Sequence, residues 1–198
     1  MLPTDFAGVV ALQRLCFPEP FPESHLWTTD HLNAHFEKFP EGQFVATAGS
    51  LIVGSCSNNR VCMPTGQSDW EEINGGLSFE NFDPKGPHLF GADISVHPEF
   101  RRIGIGRRFY NQRFDLVEGF GLKSYVTICR IPGYQAWRSH HEGTVEQYVN
   151  GVAEKNWSDL TLTPLLQYEL TIVGILPNCM DDEESGNYGV RLEWLPGL

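Results

Sequence analysis

The chain has 198 residues, 41% apolar and 12% aromatic, enough to bury one core without a metal or disulfide scaffold. Its 14 Lys and Arg stand against 25 Asp and Glu, a net charge of −11 that disfavours nucleic acid and anionic membrane and favours cations. Five scattered cysteines (Cys16, Cys56, Cys62, Cys129, Cys179) suit neither a disulfide framework nor a paired zinc motif. No run approaches the length of about 18 apolar residues that a membrane span needs, and the N-terminus lacks a secretion-signal layout, so a reduced, cytoplasmic protein is expected.

Thr4 and Asp5 announce a first helix, with Val9, Val10, Leu12, Leu15 and Cys16 at helical spacing, which must stop at Pro18, Pro20 and Pro22. A second helix starts at Thr28 or Thr29 and runs to Lys38, with Leu32, His35, Phe36 and Phe39 turned inward. Residues 44–48 and 51–55 read as two strands around Gly49-Ser50. Residues 62–88 are rich in Gly, Pro, Asn and Asp and read as a long loop with a short helix near Trp70. A strand follows at 89–96, then a turn, then a helix from about Gly104 to Glu118 with Phe109, Phe114, Leu116 and Val117 as core positions. Gly119 and Gly121 end it. A strand at 124–129 leads into a polar insert, 130–158, holding a helix near 144–153. Thr163-Pro164 opens a helix to about Leu170. Strands at 171–176 and 188–194 are joined by an acidic turn. The order describes one mixed α/β domain over residues 1–198.

The informative segment runs from Ile94 to Arg108. A strand leads into a turn with two glycines, Gly104 and Gly106, that opens a helix. The first amides of a helix have no intrahelical partner and carry the positive end of its dipole. Glycines let an anion approach the backbone. Five of the 14 basic residues, Arg101, Arg102, Arg107, Arg108 and Arg113, crowd around this place. Such a turn suits phosphate or pyrophosphate. It lacks the Gly-Lys-Ser/Thr of a Walker A loop, and Phe109 stands where a dinucleotide fingerprint needs its third glycine.

Arg101-Arg102-Ile103-Gly104-Ile105-Gly106, after Val96-His97-Pro98, resembles the signature of the GNAT superfamily of acyl-CoA-dependent N-acetyltransferases. Phe39-Pro40-Glu41-Gly42-Gln43 and Asp181 to Ser185 further resemble GNAT domains found beside carbon–nitrogen hydrolase domains. The resemblance implies a mixed sheet splayed at a central strand, acetyl-CoA as co-substrate and no metal. It implies that the amides from Arg102 to Arg107, with Arg101, hold the pyrophosphate. The backbone of Ile94, Ser95 and Val96 is implied to pair with the pantetheine arm beside a strand bulge. The acceptor is an amine of a small molecule or protein, and a homodimer is compatible with the family. A rival function is a non-catalytic acyl-CoA-binding sensor or partner module.

Direct acetyl transfer needs a base, because an amine is mostly protonated at neutral pH. Asp93 is the first choice, with His97 and Glu99 behind it. The tyrosine that protonates CoA in many relatives falls on Leu165, with Tyr168 three residues away and Tyr125 and Tyr134 as substitutes. His31 and His35 have a metal-compatible spacing but read better as a plain helix face. His140-His141 marks the insert as either a lid or a surface excursion. Asp181 to Glu184 is either a solvated tip or a lure for a cation, and Cys129 reads as a buried thiol.

Overall fold

The first helix begins as a single 3-10 turn, Pro3–Asp5, and continues as α1, Phe6–Cys16. These elements come from a computed structural model that describes residues 1–19, 21–63 and 68–197. Pro20 and positions 64–67 of the predicted loop lie outside the described residues. Helix α2, Thr29–Lys38, is capped by the Thr28 hydroxyl, which accepts from the His31 amide, while His31 Nδ1 accepts from the Thr28 amide at 3.1 Å. Strands β1, Gln43–Ala48, and β2, Leu51–Val61, follow. Then come α3 (Trp70–Asn74), β3 (His88–Val96), α4 (Ile105–Gly119) and β4 (Ser124–Arg130). The insert carries α5, Tyr134–Arg138, and α6, Val145–Ala153. The chain closes with α7 (Leu162–Leu166), β5 (Thr171–Leu176) and β6 (Gly189–Trp194). Among the described residues no helix is long and apolar enough to cross a membrane.

The chain divides into two compact units, Met1–Met63 with Glu71–Tyr125, and Pro64–Trp70 with Val126–Leu198. In the first, β1, β2 and β3 lie side by side and antiparallel, and the first residues of β4 follow β3. Val9, Leu12, Leu32, Leu89 and Phe90 are fully buried here. The β2–β3 register runs Gly54↔Val96, Ser55↔Ser95, Cys56↔Ile94 and Ser57↔Asp93, then jumps to Asn58↔Gly91. Ala92 is therefore the extra residue of a β-bulge. The bulge that the resemblance implies sits just before Asp93.

Strand β2 outruns its expected end at Ser55 by six residues. The sequence Ser-Asn-Asn-Arg does not read as a strand interior, yet Asn58 and Asn59 are fully buried. Each has a private partner. Asn58 donates to the Gly42 carbonyl at 2.7 Å, and Asn59 donates to the Asn74 side chain at 3.2 Å. Buried amides are tolerated when bonded in this way.

In the second unit the rest of β4 neighbours β6, and β6 pairs antiparallel with β5. Asp159, 3% exposed, organises this unit. Its carboxylate accepts from the Gly133, Thr161 and Leu162 amides and the Tyr148 hydroxyl at 2.8–3.0 Å. It, rather than Thr163, caps the following helix. That helix is displaced from 163–170 to Leu162–Leu166, and Pro164 stands third in it. The helix expected near 144–153 is α6, opened by a reciprocal cap between Thr144 and Gln147.

Candidate active site

Beyond β3 the chain turns through His97 and a 3-10 segment, Pro98–Phe100. The His97 amide donates to the Val53 carbonyl at 2.9 Å, and its ring Nδ1 accepts from the Glu99 amide at 3.3 Å. Arg102 adopts φ +64°, and Gly104, the N-cap of α4, φ +92°. The latter is a conformation that a side chain penalises and glycine adopts freely. The first backbone bond of α4 runs from the Arg108 amide to the Gly104 carbonyl at 3.1 Å. Among the described residues, the six successive amides of Arg102, Ile103, Gly104, Ile105, Gly106 and Arg107 have no hydrogen-bond acceptor. Arg102, Arg107 and Arg108 are exposed around them and enter no ion pair among the described residues. Free donors, a helix dipole and unpaired cations, open to solvent, are the features that suit an anion. Arg113, expected in this basic group, is instead 1% exposed and turned under the sheet.

Ile94, Ser95 and Val96 form the strand end leading into the turn. The Val96 carbonyl already accepts from Arg101 Nε at 3.0 Å and from the Cys16 thiol at 3.3 Å. Of the three residues expected to meet a pantetheine arm, this one has its acceptor engaged. Burial of the Cys16 thiol pushes its pKa up, so it stays protonated and donating.

Asp93 lies one residue after the bulge. Its carboxylate accepts from Ser95 Oγ at 3.2 Å, and the side chains of Gln13 and Trp27 act on its charge. Burial raises its pKa; Gln13, Ser95, Trp27 and the Arg113 charge partly oppose the rise. A carboxylate with a raised pKa is a better base at neutral pH than a solvated one. His97 is committed to its turn and Glu99 is exposed. Tyr125 is fully buried against Tyr110 and Phe114, which removes it as a proton donor. Tyr134 is 3% exposed in the second unit, as is Leu165 at 5%.

The other candidates have structural places. His35 is completely buried, stacked on Phe79 at 3.6 Å, and its Nε2 meets the Leu77 carbonyl at 2.6 Å. Among the described residues no group of three His, Cys, Asp or Glu could hold a metal ion. His141 stacks on Trp137 at 4.8 Å within its own insert. Arg130 pairs with Asp182 and Glu184, both at 2.7 Å, so the acidic turn is partly neutralised. Burial tends to raise the Asp182 pKa, but the bonds from Arg130 and Ser185 prevail and hold it low. Cys129 is buried, which drives its thiol pKa up and leaves it inert.

Gln13 and Trp27 were not singled out from the sequence, Cys16 was read only as a helix position, and Arg113 only as one of the basic group. For Arg113 a signal existed: it shares the buried stripe of α4 with Phe109, Tyr110 and Val117.

A bulged strand, a solvent-open arginine turn and a helix rising from it are set in a mixed α/β domain. Residues 6–142 match the acetyltransferase (GNAT) family, and the chain belongs to that family. It is 35% identical over 193 residues to the uncharacterized N-acetyltransferase YkwB of Bacillus subtilis, covering 96% of this chain and 84% of the relative. It shows the same identity to the probable hydrolase YhcX of that organism, of which it spans 36%. Among solved structures it resembles the GphF GNAT-like decarboxylase in complex with isobutyryl-CoA (TM-score 0.81, 20% identity, 98% of this chain and 96% of that one). It also resembles the loading GNATL domain of CurA from Lyngbya majuscula (TM-score 0.77, 18% identity, 98% and 94%).

Proposed function

We propose that the protein is an N-acetyltransferase that moves an acetyl group from acetyl-CoA directly to an amine of a small molecule or protein. The observation that carries this reading is the run of six unpartnered amides from Arg102 to Arg107 in a member of this family. These amides, with Arg101 and the exposed arginines, would take the pyrophosphate of CoA. Ile94 and Ser95 would offer backbone to the pantetheine, and the amide near Val96 would donate to the carbonyl oxygen as it gains charge.

Asp93 would take the proton that an ammonium must lose before its nitrogen can attack. The carbon–nitrogen bond then forms and the carbon–sulfur bond breaks. The second proton shed by the nitrogen would reach the CoA thiolate through solvent, since the resemblance puts Leu165 in the sequence where many relatives have a tyrosine. Holding amine and thioester together supplies much of the acceleration.

The test is calorimetric titration with acetyl-CoA, with isobutyryl-CoA alongside to read the acyl preference and ATP as competitor. Micromolar binding, abolished by Arg102→Glu and indifferent to ATP, supports the site. An amine panel then reads released CoA thiol. Failure of the folded protein to bind any acyl-CoA would overturn the reading. Binding without turnover on any amine would favour an acyl-CoA sensor.

A further inference from the structure

Arg113 is 1% exposed, and charged side chains are almost never this buried without a charged partner. Among the described residues no carboxylate forms an ion pair with it. Its Nε donates to Asn58 Oδ1 at 2.7 Å, and a terminal nitrogen donates to the Asp93 carbonyl at 2.7 Å. The rings of Tyr110 and Tyr125 flank the guanidinium at 4.9 and 5.2 Å. For stability alone an apolar side chain of the same size would serve this place as well, because it needs no desolvation of a charge. What only a two-armed donor does here is hold those two acceptors.

Both acceptors border the bulge. Asn58 is the first β2 residue after the register jump, and Asp93 follows the extra residue Ala92. A bulge breaks the ladder locally and turns the strand, so its geometry needs a partner from elsewhere. The partner comes from α4, eight residues on from Ile105, where the anion turn passes into the helix. One rigid helix thus touches the turn at its head and the strand beside Asp93 along its length, about 12 Å apart at 1.5 Å per residue.

We propose that Arg113 is a positioning residue for acyl transfer: it clamps the β3 bulge through the Asp93 carbonyl and Asn58, fixing Asp93 relative to the anion turn on the same helix. The proposal rests on the reading of Asp93 as the base. The groups facing Asp93 are Gln13 and Cys16 from α1, Trp27 before α2, Ser95 of its own strand, and Arg113 from α4; Cys56 of β2 also acts on its charge. Arg113 is the cation in that set, so it also favours the ionised carboxylate.

The test compares Arg113→Met and Arg113→Lys in the full chain by steady-state kinetics across pH, by acetyl-CoA titration and by amide hydrogen exchange. In Arg113→Met, kcat falls about ten- to hundred-fold while acetyl-CoA affinity stays within about threefold, as misplacement of a reacting group predicts. The acidic limb of kcat/KM moves up by about one pH unit, because a neighbouring positive charge is gone. Amides of Ala92 to Ser95 exchange faster. Arg113→Lys restores the limb but not the full kcat, since one ammonium replaces a fork.

A folded Arg113→Met with wild-type kcat and an unmoved limb overturns the proposal. So does unchanged exchange at Ala92 to Ser95. If the Met variant does not fold, the Lys variant decides, and wild-type kcat with unchanged exchange there overturns it. Asp93→Asn separates the two claims. If that variant keeps full kcat the base assignment fails, whereas the clamp is still judged by hydrogen exchange.

Discussion

Acidification should unfold this protein through His35. The imidazole is completely buried, stacked on Phe79, edge-on to Trp27 at 4.7 Å, and bonded to the Leu77 carbonyl. Lys38 closes the same contact by donating to the Ser78 and Phe79 carbonyls at 2.7 and 3.1 Å. Burial lowers the His35 pKa from 6.5 to about 4; the Leu77 bond opposes this, and His31 and Lys38 add to it. The unfolded chain therefore binds a proton that the folded chain refuses. The stability from this site is complete above pH 6.5 and drains away as pH falls toward 4. A gap of about 2.5 units corresponds to about 3 kcal/mol in all, of which about 2 kcal/mol is gone by about pH 5. Asp93, whose pKa is raised, works in the opposite direction, since acid relieves the cost of its buried charge. His35→Gln keeps a donor for Leu77 and removes the titration, so it isolates the term. Urea unfolding of both proteins at neutral pH and near pH 5 should show the wild type losing about 2 kcal/mol more than the variant. Equal losses would refute the argument.

Arg102→Glu removes an exposed cation from the anion turn and should weaken acetyl-CoA binding about tenfold or more without moving the melting temperature; calorimetry and thermal denaturation check both. Gly104→Val forces a β-branched residue to φ +92°, which should cost about 1–2 kcal/mol in chemical denaturation and reduce acyl-CoA affinity as the turn shifts. Asp159→Ala strands three amides beside the Tyr148 hydroxyl and should destabilise the second unit by about 3 kcal/mol, read by denaturation and by faster amide exchange at Gly133 and Leu162.

The anion turn was legible because everything that makes it is local. The proline, the glycines and the arginines lie within eleven residues of one another, and the physics of a helix start needs no distant partner. Helix α2 was legible for the same reason, through its Thr28 cap. What stayed hidden depends on partners far along the chain. Residues 56–61 read as polar and non-strand until Gly42, Asn74 and Arg113 are brought to them. The α7 start was misread because Asp159, four residues before Thr163, outcompetes it for the free amides. Asp93 was proposed only from its place on the strand. The side chains that tune it, Gln13 and Trp27, are eighty and sixty-six positions away and leave no mark at its own position.

Net charge is a weak guide to what the arginine turn binds, for a physical reason. A field of −11 spread over the surface is screened within about 8 Å at physiological salt, so it governs approach more than contact. At the turn, four arginines and six free amides would act on a bound pyrophosphate at hydrogen-bond distance, where screening is small. The fifth arginine, Arg113, adds nothing to that surface, being spent on the bulge. Added salt should therefore split the kinetics of CoA binding. The on-rate, set by long-range repulsion from an acidic protein, should hold steady or rise, while the off-rate increases as the close arginine contacts weaken. Stopped-flow binding across ionic strength distinguishes this from a site whose field is positive at long range, for which the on-rate would fall steeply with salt.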